Sequence, residues 1–491
     1  MKVDMETIKK SNTKKETNTW REEQMSSVMK EKSATNKTRN TREISFDMIS
    51  RVLENGELSH IVMREGLAVF GNSQQDNMDK SFISRLVLGT IERKITLDYV
   101  IDSFSKTKTA KMKPLIRTLL RMSVYQILYM EQVPDSAACN EAVKLAKRHR
   151  FHQLAPFVNG VLRTISREKE NIRYPSREKD LLKALEVEFS VPEWIIRLMM
   201  EKYGKEKTFH MLSCLYQKED GVSLRINTSK TCKKEVVESL QKENVKVCDI
   251  NLVDNMIRIN DFGFIGKLSV FKKGFVQVQD PSSVLAVLIS GAKEGDFCMD
   301  LCAAPGGKTM HLADLLKGNG KIIARDLTEN KIKYINENVK RCGFDNVITE
   351  VYDSSILDER YVGMADVVIV DAPCSGLGVI GRKSDIKYRL KKEDIKALSE
   401  ISKSILRCAA TYLKTGGYLI FSTCTLTKEE NEDNRQWMMD NFPLKPVDIR
   451  MDLSDELLKY SDNPKTAKDG YLSLLITEQT DGFFISKFQK M

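Results

Sequence analysis

The chain has no run approaching the ~18 uncharged apolar residues of a membrane-spanning helix, and its first residues lack the apolar core of a secretory signal. A cytoplasmic protein without a membrane partner is the expectation. Cysteine is scarce, 10 in 491 residues at irregular spacing, far below the density of a disulfide scaffold. Each is therefore a reduced packing residue or a chemical one. Histidine is scarcer still, with 5, at positions 60, 149, 152, 210 and 311. None adjoins a cysteine motif of interest, which argues against a Cys–His hydrolase. Cys298 and Cys302 form an isolated pair without the repeated spacings of a zinc site, so no metal is expected.

What is present is a globular balance, 30% charged against 41% hydrophobic residues, in a chain long enough for about three domains. The net charge of +10 is unevenly placed. Residues 1–42 carry +5, residues 43–105 carry −4, and residues 106–150 carry +7, which leaves only +2 for the other 341. Residues 1–42 have few apolar groups to offset their ordering entropy and read as a disordered basic tail. The charge asymmetry predicts a nucleic-acid docking part attached to a near-neutral body with another task. Solvated helix faces beside a floppy tail would give the same asymmetry.

Over residues 43–172 apolar residues recur at helical spacing, as in Leu86, Val87 and Ile91, or Leu115, Ile116, Leu119 and Leu120. Pro114, Pro134 and Pro156 punctuate this all-helical region. Residues 173–293 turn to mixed elements. A strand is expected at Val222–Lys230, a helix near Lys234–Glu243, and a strand with a turn at Gly274–Ser283, giving a small α+β connecting module. Arg225 and Asn227 lie in its first strand segment, where they would face RNA.

Residues 294–491 alternate short apolar runs with amphipathic helices. Strands are expected at Phe297–Leu301, Lys321–Arg325, Val347–Val351, Asp366–Val370 and Tyr418–Ser422. Helices are expected at Lys308–Leu316, Asn330–Arg341 and Glu393–Tyr412. This alternation predicts a parallel, doubly wound, Rossmann-like sheet with its ligand at the C-terminal strand ends. Tyr471–Phe488 would add an antiparallel hairpin.

The first of these strands runs into DLCAAPGGKT, Asp300 to Thr309. A Walker loop would need glycine at position 302, where Cys302 stands, and Pro305 intrudes among the phosphate-binding amides. The glycine pair instead suits a nucleoside ligand, with Asp326, Asp353 and Asp371 at or just past three successive strand ends. S-adenosyl-L-methionine is the preferred ligand.

DAPCSG (Asp371–Gly376) and STCT (Ser422–Thr425) end two further strands, so Cys374 and Cys424 would both face the ligand edge. Cys139, Cys214, Cys232, Cys248, Cys298, Cys342 and Cys408 read as small buried apolar residues. C5 of cytosine is a poor nucleophile until a thiolate adds to C6, which makes C5 enamine-like. Asp371, if protonated, is placed to stabilise charge at N3. A second cysteine can assist release of the first.

Two resemblances follow from these segments. Phe82–Ile101, Leu115–His149 and Phe157–Ile165 resemble the NusB-type RNA-binding domain. That resemblance implies a basic RNA-binding surface, with Arg117, Arg121, Lys144, Lys147, Arg148 and Arg150 as its candidates; ordinary surface charge is the alternative. DLCAAPGGKT, DAPCSGLG and STCT together resemble the RNA cytosine-C5 methyltransferases of the NOL1/NOP2/Sun family. The resemblance implies Cys424 as nucleophile and Cys374 as release residue. It implies a cofactor site of Cys302, Ala303, Ala304, Pro305, Gly306, Gly307, Lys308, Asp326, Asp353 and Asp371. With a NusB-like region in front, it implies 16S ribosomal RNA, naked or in a small-subunit assembly intermediate, as substrate of a monomeric enzyme. Ser384 and Tyr388 depart from the proline and tryptophan usual in the family. The NusB-like region alone would also suit a non-catalytic RNA-binding or antitermination factor.

Overall fold

The computed structural model describes residues 40–71, 73–217 and 221–491. The expected tail thus lies outside the described residues as far as residue 39. Its last residues do not: Thr41–Leu53 is a helix, entered through Asn40, whose side chain accepts from the Glu43 amide at 2.8 Å. The chain divides into two compact units, one ending at Lys179 and the other running from Asp180 to Met491.

The first unit is helical, with Thr41–Leu53, Ser59–Leu67, Gln74–Glu92, Lys94–Phe104, Pro114–Tyr129, Asp135–Arg148 and Ala155–Glu168. Ser73 and Asp76 close a capping box on the third helix, and Pro114 opens the fifth, where its missing N–H costs nothing. Pro114–Tyr129 is the central rod. Its buried residues, among them Ile116, Leu119, Leu120, Met122 and Val124, point in all directions, so neighbouring helices cover it all round.

The second unit begins with helices Leu181–Phe189 and Glu193–Cys214, neither expected from the sequence. An antiparallel sheet follows, built from β1 (Val222–Ile226), β2 (Lys246–Asp249), β3 (Met256–Asn260) and β4 (Val276–Val278) in the order β2-β3-β1-β4. Helix Lys233–Lys242 packs on one face, where Leu224, Ile226, Val236 and Leu240 share a core. The expected strand and helix are there, whereas β2 and β3 are new, and the turn after β4 is the start of a helix, Pro281–Leu288.

The large sheet holds β5 (Phe297–Asp300), β6 (Lys321–Asp326), β7 (Val347–Val351), β8 (Ala365–Asp371) and β9 (Leu413–Thr423) in parallel. Three antiparallel strands, β10 (Leu444–Pro446), β11 (Tyr471–Leu474) and β12 (Phe483–Lys490), complete it. The order is β10-β12-β9-β8-β5-β6-β7, with β11 also on β12. Strand residues alternate between two covered faces. Cys298, Val367 and Ile369 enter one core, while Met299, Val368 and Val370 enter the other. Helices cover both faces, as a parallel sheet requires. The crossover direction reverses on either side of β5, and the loops after β5 and β8 open at that switch point.

Candidate active site

Asp300 ends β5, and six residues later Gly306 takes a φ of +104° to admit the chain into helix Gly307–Leu315. A side chain there would be strained, and its Cβ would lie 3.5 Å from the Ile335 backbone. The turn is tied to β6 twice: the Ala303 amide donates to the Arg325 carbonyl at 2.9 Å, and the Ala304 amide to Asp326 Oδ2 at 3.0 Å. Asp326 also accepts from the Leu327 amide at 2.8 Å and pairs with Lys331 at 2.9 Å. Asp353 sits on the surface, where the Ser355 amide and hydroxyl both donate to it and hold its carboxyl below the usual range. Burial pushes the Cys302 thiol up, which marks it as an unreactive member of the turn.

Asp300 is fully buried, accepts from Thr309 Oγ1 at 2.7 Å through Oδ2, and leaves Oδ1 without a partner. Burial pushes its carboxyl up to about 6. Gln279, whose amide nitrogen is likewise buried and unpartnered, lies against Gly307. An open acceptor and an open donor beside a helix N-terminus fit the ammonium and carboxylate of an amino-acid ligand such as the methionine end of S-adenosyl-L-methionine.

Asp371 ends β8 and Ser422 lies opposite it on β9. The Lys308 ammonium donates to Asp371 Oδ2 at 2.6 Å and Ser422 Oγ donates to Oδ1 at 2.8 Å. Both oxygens act as acceptors, one of them for a cation. Lys308 is further held by Ser283 Oγ at 2.9 Å.

Three residues beyond Asp371 and two beyond Ser422, Cys374 Sγ and Cys424 Sγ meet at 3.4 Å. The contact sorts the two thiols. Either sulfur can donate across this contact; the Cys374 thiol is held up by its bond to Cys424 and by burial, whereas the Cys424 thiol is lowered, chiefly by its bond to Cys374, with Lys383 and Lys308 adding favourable charge.

Residues 287–489 match the family model described as 16S rRNA methyltransferase RsmB/F, residues 39–167 match the NusB family, and residues 191–264 match the ferredoxin-like domain of Methyltr_RsmF/B-like proteins. The probable ribosomal RNA small subunit methyltransferase B of Bacillus subtilis (strain 168) is 34% identical over 458 residues, covering 92% of this chain and 99% of the relative. The chain belongs to the RsmB/F family of 16S rRNA methyltransferases. The ribosomal RNA small subunit methyltransferase B of Escherichia coli (strain K12) is 27% identical over the same shares, 92% and 99%. The crystal structure of PH0851 superposes with a TM-score of 0.76 at 25% identity, over 92% of this chain and 99% of that one. The small antiparallel sheet is thus the ferredoxin-like module of an RsmB/F protein.

Against this family frame the basic residues divide sharply. Arg225 is 2% exposed and pairs with Asp314 at 2.9 Å while donating to Gln279 and Asn227, and Asn227 is itself buried. Neither faces RNA, contrary to the sequence expectation: Asp314 on helix Gly307–Leu315 closes over Arg225, and Asn227, just past β1, donates to the Gly274 carbonyl at 2.6 Å. Arg121 is also interior, held by Asp98 and Glu54, and Arg117 is engaged by the same Glu54. Lys144, Lys147, Arg148 and Arg150 are exposed, with Lys144 paired to Glu141 and Arg148 to Glu43. Among the described residues no helix is long and apolar enough to cross a membrane. Tyr388 donates to the Ser190 carbonyl at 3.1 Å and shares a second bond with Ser190 Oγ at 2.8 Å. Its hydroxyl thereby anchors the loop after Cys374.

Sequence reasoning missed Gln279, Ser283, Ser422 and Glu430. Glu430 is wholly buried and accepts from the Ser375 amide at 2.7 Å, Ser375 Oγ at 2.6 Å and Thr427 Oγ1 at 2.7 Å. Its place in the acidic run KEENED gave no signal of burial.

Proposed function

We propose that this protein transfers a methyl group from S-adenosyl-L-methionine to C5 of a cytosine in 16S ribosomal RNA through a covalent bond between Cys424 and C6. The observation that carries the reading is the 3.4 Å contact between Cys374 and Cys424 at the ends of adjacent parallel strands. Two thiols, one primed as nucleophile by the other, are what addition to and elimination from a pyrimidine ring need.

Cys424 Sγ adds to C6, and the electrons of the C5=C6 bond move to C5 and the conjugated ring. Asp300, Gln279 and the turn Cys302–Lys308 would hold the cofactor, with Asp326 and Asp353 on the nucleoside side; when bound, S-adenosyl-L-methionine supplies an electrophilic methyl. Asp371 and Lys308 form a charged pair at this strand edge and would orient the base. A base, water or the Cys374 sulfur as thiolate, then takes the C5 proton; the C–H electron pair restores the C5=C6 bond and the Sγ–C6 pair returns to Cys424 Sγ as thiolate. Cys374, which loses its acceptor once the Cys424 sulfur is bonded to carbon, is the group left beside the adduct to assist this step. Capture of the RNA is assigned to the exposed Lys144, Lys147, Arg148 and Arg150 in the NusB-like region, residues 43–172, leaving chemistry to residues 294–491.

The alternative nucleophile is Cys374, preceded by proline as in DNA cytosine-C5 enzymes. The direction of the two thiol shifts favours Cys424. Denaturing gels of Cys374→Ala and Cys424→Ala proteins incubated with 16S rRNA and cofactor test the choice. A trapped adduct is expected with Cys374→Ala alone, and an adduct formed by Cys424→Ala overturns the assignment. Bisulfite sequencing of 16S rRNA from a deletion strain tests the reaction itself.

A further inference from the structure

Each cysteine is followed by a hydroxyl residue, Ser375 after Cys374 and Thr425 after Cys424, and the two hydroxyls meet at 2.5 Å. Beneath both lies the Glu430 side chain, wholly buried, with no cation among its hydrogen-bond partners. Its Oε1 accepts from the Ser375 amide; its Oε2 accepts from Ser375 Oγ and Thr427 Oγ1, with Thr425 Oγ1 at 3.3 Å. The protons balance. Ser375 donates its amide and hydroxyl to the two carboxylate oxygens, Thr427 donates its hydroxyl to Oε2, and Thr425 donates to Ser375 Oγ. One carboxylate thus ties down the residue after the release cysteine and, through it, the residue after the nucleophile. Backbone bonds add to the clamp: the Gly378 amide donates to the Cys424 carbonyl at 2.9 Å, and the Asn431 side chain donates to the Thr425 carbonyl at 3.0 Å.

A carboxylate in so dry a place is costly unless every lone pair is used, and burial indeed holds the Glu430 carboxyl above its usual range. A glutamine would fill the space but present N–H where hydroxyl donors converge. The geometry suggests that the site needs an acceptor on both oxygens, beyond mere bulk.

We propose that Glu430 is a positioning residue that locks the Cys374 and Cys424 loops to each other and so fixes the sulfur–sulfur contact on which thiolate formation and later release depend. This rests on the covalent reading of Proposed function. Glu430 touches neither thiol and acts through Ser375 and Thr425. Besides Cys374, the groups whose charge reaches Cys424 are Asp371, Lys383 and Lys308; the Glu430 charge reaches Cys374 and raises it, so Glu430→Gln removes that push together with the lock, whereas Ser375→Ala loosens the lock and keeps the charge.

The test uses the full chain as wild type, Glu430→Gln, Glu430→Asp and Ser375→Ala. Iodoacetamide alkylation of Cys424, followed by peptide mass spectrometry as a function of pH, reads the thiol directly, without RNA. Methyl transfer to 16S rRNA gives kcat and KM. For Glu430→Gln the alkylation profile should move to higher pH and kcat should fall about 100-fold, the cost of misplacing a reacting group by ~1 Å, with KM for RNA unchanged. Glu430→Asp, one methylene short, should fail to rescue. If Glu430→Gln loses thermal stability, Ser375→Ala, which removes one donor and keeps the carboxylate, carries the same expectation at smaller amplitude. Wild-type alkylation profiles and kcat in folded Glu430→Gln and Ser375→Ala overturn the proposal. A parallel drop in KM-dependent binding and thermal stability without a shifted profile also overturns it, as a merely structural role. Absence of any cytosine methylation by the wild type refutes the underlying reading instead, and the alkylation profiles keep that outcome distinct.

Discussion

Replacing Arg225 by methionine should destabilise the second unit by about 3 kcal/mol and leave RNA affinity unchanged. Breaking a buried ion pair by removing one partner costs ~3–5 kcal/mol, because the remaining charge is stranded in a poor dielectric. Arg225 and Asp314 are each 2% exposed and 2.9 Å apart. Asp314 is not left bare in the variant. Oδ1 keeps the Ser229 amide at 2.9 Å and Ser229 Oγ at 2.6 Å, and Oδ2 keeps the Thr228 amide at 3.0 Å. These donors hold the loss to the lower end of the range. Asp314→Leu should cost more, about 5 kcal/mol, since it strands a guanidinium among neutral acceptors and frees the Thr228 and Ser229 amides. Urea unfolding followed by tryptophan fluorescence suits the measurement, because Trp194 and Trp437 both lie in the second unit. A loss below ~1 kcal/mol for Arg225→Met, or weakened RNA binding at full stability, would refute this account of Arg225.

Three further outcomes are expected. Asp300 has a folded value of about 6, above its ordinary value of 3.8, so the native state holds the proton more tightly. Its unfavourable contribution therefore grows as pH rises through that interval and is constant above it. Relative to wild type, Asp300→Asn should gain up to about 3 kcal/mol of stability between pH ~4 and ~7 by chemical denaturation, and a pH-independent difference contradicts the assignment. Arg148→Gln with Arg150→Gln should weaken 16S rRNA binding and flatten its salt dependence by roughly two contacts' worth, while calorimetric cofactor affinity stays put; equal loss of both would deny a division of labour. Tyr388→Phe should cost about 1 kcal/mol by thermal denaturation through its two bonds to Ser190, and no change would leave those bonds without energetic weight.

The doubly wound sheet was legible because its signals are local. Parallel strands buried on both faces read as short apolar runs, and the turn at Gly306 and both cysteine motifs are contiguous stretches. Arg225 misled for a complementary reason. In a strand of alternating residues it takes the polar position, which reads as solvent-facing, yet a helix from ~90 residues later covers that face and supplies Asp314. Glu430 was invisible because acidic runs at a strand exit resemble solvated surface. Only the return of the chain after β9 turns one of those acids inward, beneath two loops that are 50 residues apart. Lys308 shows the same limit in milder form. Its place in the glycine turn was evident, but its pairing with Asp371 needs β5 and β8 side by side.

The Arg225–Asp314 pair also decides where this chain can be cut. The methyltransferase match starts at residue 287, an inviting place to begin a minimal catalytic fragment. Such a fragment would keep Asp314 and discard its arginine. It would also keep Arg341, which stacks on Phe271 and donates to the Phe271 and Val276 carbonyls, and discard all of those partners. Asp314 would lose the charge that neutralises it and Arg341 the ring and carbonyls it packs on. The shortest fragment that folds by itself should start no later than the helices at Leu181, so the ferredoxin-like module and the methyltransferase fold as a single piece.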